Sequence, residues 1–117
     1  MRLIESQTVC EWAQAPSTPP APGSAVGIAL STLGKQPING LRHNAAGTSN
    51  GWYIWCGTEL SNAPNFFSPL HIEHMVEYVP EAVEYLDLPP GYRFQIDGSN
   101  YEDVWFDKSL LEVDAGQ

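Results

Sequence analysis

YRFQIDGSNYEDVWFD, residues 92–107, reads as two strands and the turn that joins them. Tyr92, Phe94 and Ile96 alternate with Arg93 and Gln95, and a period of two marks a strand with one buried face. Asp97-Gly98-Ser99-Asn100 supplies turn residues, and YEDVWFD (101–107) brings the chain back. On the returning strand Val104 and Phe106 share one side with Glu102, while Trp105 shares the other with Tyr101, Asp103 and Asp107. A hairpin pairing 92–96 with 101–106 is expected, with Val104 and Phe106 turned to the core.

Working outward, Pro89-Pro90-Gly91 stops whatever precedes the hairpin. Two helices are predicted there, near 69–78 and 80–87. Ser68 followed by Pro69 has the form of an N-cap with proline at the first helical position, and Ile72, Met75, Val76 and Val79 line one face. Pro80 breaks that helix and opens the next, with Glu81 and Glu84 near its positive end and Val83 and Leu86 on its buried side. WYIWC (52–56) is too short and too aromatic for a helix and reads as a strand. Residues 37–51 are loop-like apart from a short strand at 38–43. Ser24 can cap a helix carrying Val26, Ala29, Leu30 and Leu33 at the i, i+3, i+4, i+7 spacing, closed by Gly34. Pro16, Pro19, Pro20 and Pro22 mark a linker. The expected organisation is a 1–23 arm and Pro-rich linker, one α+β domain at 24–113, and a 114–117 tail. The domain is a small antiparallel sheet with helices packed on it. The arm, with Ile4, Val9 and Trp12, fits a short helix and a strand equally well.

Charge is unevenly spread. Twelve of the fourteen acids follow Gly51, against only Arg93 and Lys108 as cations, and every aromatic except Trp12 falls within 51–106. So many aromatics argue against disorder, and so much negative charge argues against nucleic acid. The combination points to a folded acidic surface that meets a basic protein. Nothing resembles a membrane span or a secretory leader, so a cytoplasmic protein is expected. Cys10 and Cys56 match neither a zinc site nor a redox pair and read as free thiols.

Chemistry-bearing patterns are sparse. His71, His74 and Glu77 recur at three-residue spacing on a predicted helix, which could present ligands to a metal, but zinc sites want three or four. Glu102 and Asp103 point to opposite faces of a strand, which does not suit an acid–base pair across a cleft. Neither cysteine has a nucleophile's motif, and no phosphate loop is present. No enzyme, no cofactor and no metal is therefore expected. Trp105, bracketed by Asp103 and Asp107, has the makings of an interface anchor, because binding hot spots favour Trp and Tyr within a polar rim. Tyr53 and Trp55 on one side of the 52–56 strand, and Phe66 and Phe67 in NAPNFFSP, are further candidates. The alternative is that helices cover both sheet faces and each Trp is simply core.

AVGIALSTLGKQPINGLRH, GWYIWCG, SPLHIEHM, YLDLPPGYRF and YEDVWFD, in that order, resemble the Imm33-like family of bacterial immunity proteins. The likeness runs over about 25–111 and leaves the arm and linker outside. It implies a protein that neutralises a cognate toxin of a polymorphic or type VI-type system by binding it, and it implies no catalytic residues. A basic, cytosol-acting toxin such as a nuclease fits the acidic half, since complementary potentials speed association and set partner choice. Two other classes compete: a carbohydrate- or ligand-binding module that uses its tryptophans as a stacking platform, and a small metallohydrolase built on His71, His74 and Glu77. The oligomeric state is not readable.

Overall fold

Ile38, Gly40 and Arg42 pair with Cys56, Ile54 and Trp52 at the centre of a six-stranded sheet, seen in a computed structural model that describes residues 7–112. The strands are β1 (Ala25–Ile28), β2 (Ile38–Arg42), β3 (Ser49–Cys56), β4 (Ser68–His71), β5 (Tyr92–Ile96) and β6 (Glu102–Phe106), in the order β4-β1-β3-β2-β5-β6. Neighbours run antiparallel except β1 and β3, so the sheet is mixed, with one parallel pair among antiparallel ones. Short helices α1 (Val9–Ala13) and α2 (Met75–Tyr78) and several 3-10 turns complete the α+β domain. Ile4 and the 114–117 tail lie outside the described residues.

One face of the sheet carries Val26, Ile28, Ile38, Trp52, Ile54, Cys56, Phe94 and Ile96. Val9, Cys10, Met75, Val79, Ala82, Tyr85, Leu86 and Leu88 pack over them. Gly40 decides the fit at the centre, because a Cβ there would run into the Phe94 ring. The freed space lets Phe94 stack on Tyr85, with centroids 4.7 Å apart, and tilt against Trp52. Each such side chain contributes roughly 1.5–3 kcal/mol through burial.

The arm is part of this layer. Thr8 and Glu11 form a reciprocal capping box at the start of α1, and Val9 is 1% exposed. The Pro-rich stretch then crosses back, with Thr18 N–H donating to Asp87 O at 2.6 Å.

Four expectations are corrected. The helix predicted after Ser24 is strand β1 followed by a 3-10 turn at Leu30–Thr32. Val26 and Ile28 also alternate, which makes so short a run ambiguous, and pairing with β3 and β4 resolves it. The helix predicted near 69–78 starts late. Ser68–His71 is strand β4, a 3-10 turn covers Ile72–His74, and α2 is four residues long. Main-chain pairing with β1 outweighs the capping pattern, and Met75 and Val79 are buried while Val76 is exposed. Pro80 does open the next element, but as a 3-10 helix over Pro80–Tyr85. Its three-residue period aligns Ala82, Tyr85 and Leu88 inward and turns Val83 out, with Leu86 buried as expected. Finally, the expected hairpin forms, pairing Tyr92–Ile96 with Glu102–Phe106, yet Phe106 is 50% exposed. It stands at the end of the last strand, edge to face with the Tyr92 ring and close over Gly91.

Candidate protein-binding face

The face of the sheet turned away from the helices is only partly covered. Tyr53, Phe66 and Phe67 close one side of it over the buried Trp55, Leu41, Ala29 and Leu110. Phe66 and Phe67 meet edge to face at 4.9 Å, and Phe67 does the same with Tyr53 at 5.1 Å and with Trp55 at 6.3 Å. Trp55 is 6% exposed, so these four aromatics form a second small core whose rims, Tyr53, Phe66 and Phe67, are half-buried. The Trp52 ring is fully enclosed on the other face. With two of the four indoles inside, no stacking platform of four tryptophans forms.

The other side, over β5 and β6, stays open. Trp105 is 37% exposed and lies beneath the Arg93 guanidinium, 5.5 Å from ring centroid to cation. Arg93 also pairs with Asp107 at 3.1 Å, and its Nε is buried without a hydrogen-bond partner. Asp107 in turn accepts from the Ser109 hydroxyl at 2.6 Å and the Ser109 N–H at 3.1 Å, capping the 3-10 turn Lys108–Leu111. The Ser109 hydroxyl first, and Arg93 next, hold its carboxyl below the usual carboxylate range. Asp107 is thus the strut that fixes Arg93 over Trp105. Asp103 projects freely from the same face, accepting a long hydrogen bond from Tyr101 at 3.4 Å. Slight desolvation, then the Asp103 charge, raises the Tyr101 phenol. A cleft of about 330 Å³ runs between Trp105 and Trp55, floored by Asn39 and Gln95, so the fold brings those two candidates together. Phe66 and Phe67 do not line it.

Around the edge of β6, on the helix side, a second cleft of about 470 Å³ is lined by Glu81, Glu84, Asp97 and Glu102 with Tyr85, Ile96, Asn100 and Tyr101. The Tyr85 hydroxyl donates to Glu102. Sequence reasoning placed these acids separately, on a helix start, a turn and a strand, and did not bring them together. Their convergence depends on the 3-10 helix at Pro80–Tyr85 lying beside the hairpin turn, and no local pattern encodes that.

His71, His74 and Glu77 do not share a helical stripe, since His71 ends β4. The His71 and His74 rings stack at 6.2 Å, and His74 Nδ1 lies 2.8 Å from Glu77 Oε2. Among the described residues no group of three or more His, Cys, Asp and Glu converges to hold a metal. Nor is any helix there long and apolar enough to cross a membrane.

Neither the curated proteins nor the solved structures compared with this chain give a match. A family model does: that of the Imm33-like domain matches residues 5–107, starting ahead of the Pro-rich stretch and ending with β6 and Asp107. On that match, which takes in both sheet faces and the open aromatic–acidic side, the chain belongs to the Imm33-like family, a family of immunity proteins.

Proposed function

We propose that this protein neutralises a cognate bacterial toxin by binding it stoichiometrically, without catalysis, in the cytoplasm of the cell that makes both. The observation that carries the reading is an exposed indole, Trp105, held in place by Arg93 and Asp107 on a family member whose exposed rim is acidic. Hot spots favour such a fixed aromatic within a polar surround. The toxin is a basic, cytosol-acting protein, such as a nuclease of a polymorphic or type VI-type system. Carboxylates offered to a surface built for phosphate give it both speed and selectivity. Asp103 and Trp105 make the central contact, Asp107 positions it, Trp55 lines the adjoining cleft, and Tyr53, Phe66 and Phe67 lie beyond it on the same face.

The test is co-purification of this chain with the product of the neighbouring toxin gene, followed by toxin assays at increasing inhibitor ratio. Inhibition complete near one inhibitor per toxin is expected. Trp105→Ala should weaken binding by about 2 kcal/mol or more, and Asp103→Lys should weaken it while thermal stability holds. Affinity unchanged by both variants would move the interface to the Phe66–Phe67 side. Failure of the chain to inhibit the toxin at any ratio would end the proposal.

A further inference from the structure

The two ends of the sheet are finished differently. At the β4 end, Ile72 N–H donates to Ser24 O at 2.8 Å, and Val26 and Ile28 face Leu70 and Ser68. Antiparallel alternation then turns the backbone of Pro69 and His71 away from the sheet. Pro69 has no N–H, so this edge lacks a donor where an added strand would seek one. At the β6 end, Asp97 N–H donates to Tyr101 O at 3.1 Å and Asp107 N–H to Gly91 O at 2.7 Å. The same alternation directs residues 101, 103, 105 and 107 toward β5, and the backbone of Val104 and Phe106 outward. No strand lies beyond them among the described residues.

Sheets blunt exposed edges with proline or charge. β6 has no proline, and the acids Asp97, Glu102, Asp103 and Asp107 along it share one sign. Such an edge repels a second copy of itself and any acidic chain, but it admits a cationic one. We propose that β6 accepts an extended, lysine- or arginine-bearing segment of its partner as a seventh strand, a mode that rests on the toxin-binding reading and specifies it. Main-chain bonds to Val104 and Phe106 supply the docking. Alternate side chains of the added strand fall on opposite faces: one set enters the acidic cleft of Glu81, Glu84, Asp97 and Glu102, and the other lies beside Asp103 and Trp105.

A synthetic heptapeptide alternating Lys with Val tests this, against a twin alternating Glu with Val and a Lys peptide N-methylated along one edge. Binding is followed by amide chemical shifts of the full chain, wild type and Val104→Pro. The Lys peptide should shift the 102–106 amides, and the Glu twin should not bind. Val104→Pro and N-methylation should each lower affinity at least tenfold. Proline is tolerated where the edge N–H points outward, and thermal unfolding checks that the variant folds. The N-methyl arm leaves the protein untouched. Lys-peptide affinity indifferent to both changes, or shifts lying away from β6, would reduce the effect to diffuse charge attraction and overturn the proposal. A toxin that binds wild type and Val104→Pro equally would sink the edge mode and leave the inhibitor reading standing. Strand addition of the Lys peptide with no toxin bound by wild type would sink the inhibitor reading instead.

Discussion

Arg42 is the residue whose role the sequence hid best. It is 4% exposed, and its guanidinium donates to the carbonyls of Asn50 at 3.1 Å and of Thr18 and Leu88 at 2.7 Å each, above the Trp52 ring. One side chain therefore joins the Pro-rich crossing, the β3 start and the segment before β5. Desolvation pulls its pKa down, against the opposing charge of Asp87. Arg42→Met leaves those carbonyls unpaired and should cost about 3 kcal/mol of stability by urea unfolding. The two phenylalanines of the hairpin should separate clearly in the same assay. Phe94→Ala removes a ring that is 1% exposed and should cost about 3–5 kcal/mol. Phe106→Ala, at half exposure, should cost only about 1 kcal/mol. Equal losses would place Phe106 in the core after all.

At the scale of elements, the segments that read correctly from sequence are those in which pattern and pairing agree. The hairpin is the clearest, since its alternation, turn and strand pairing all coincide. The segments after Ser24 and Ser68 misread because both carry helix-compatible spacing in runs too short to choose, and strand pairing chose for them. α1 posed the same ambiguity, and its capping box with the burial of Val9 fixes it as a helix. Thr8→Ala removes half of that box and should lower stability by about 1 kcal/mol. Val9→Ala should cost more, because it opens the core beneath. If neither substitution moves the unfolding midpoint, α1 is not docked in solution.

At the scale of the whole molecule, charge governs behaviour. The formal net charge is −9, and exposed charges are screened beyond about 8 Å at physiological ionic strength. Association with a basic toxin should therefore slow steeply as salt rises, measured by stopped-flow mixing, while dissociation changes little. Acid should act on folding in a definite direction. Glu11, held by the Thr8 N–H and hydroxyl, Glu73, held first by the Gly23 N–H, and Asp107 all have carboxyls below their usual range. A group depressed in the folded state stabilises above its unfolded pKa, and that contribution is lost as pH falls through the folded value. Melting temperature should thus drop on acidification below the ordinary carboxylate range, and Glu11→Gln with Asp107→Asn should flatten the drop. A double variant as acid-sensitive as wild type would refute the assignment.

The sequence by itself determined the α+β class, the hairpin, the strand at 52–56 and the family, because these rest on local alternation, turn chemistry and long ordered motifs. It also determined that the second half would be acidic and aromatic. Only the tertiary structure decided that β1 and β4 are strands, that Trp52 and Trp55 are enclosed while Trp105 is not, and that Asp107 supports Arg93 rather than standing alone. The physical reason is common to all three. Which backbone groups find partners, and which side of a strand is covered, depend on segments far away in the chain, and a local pattern carries no information about what will pack against it.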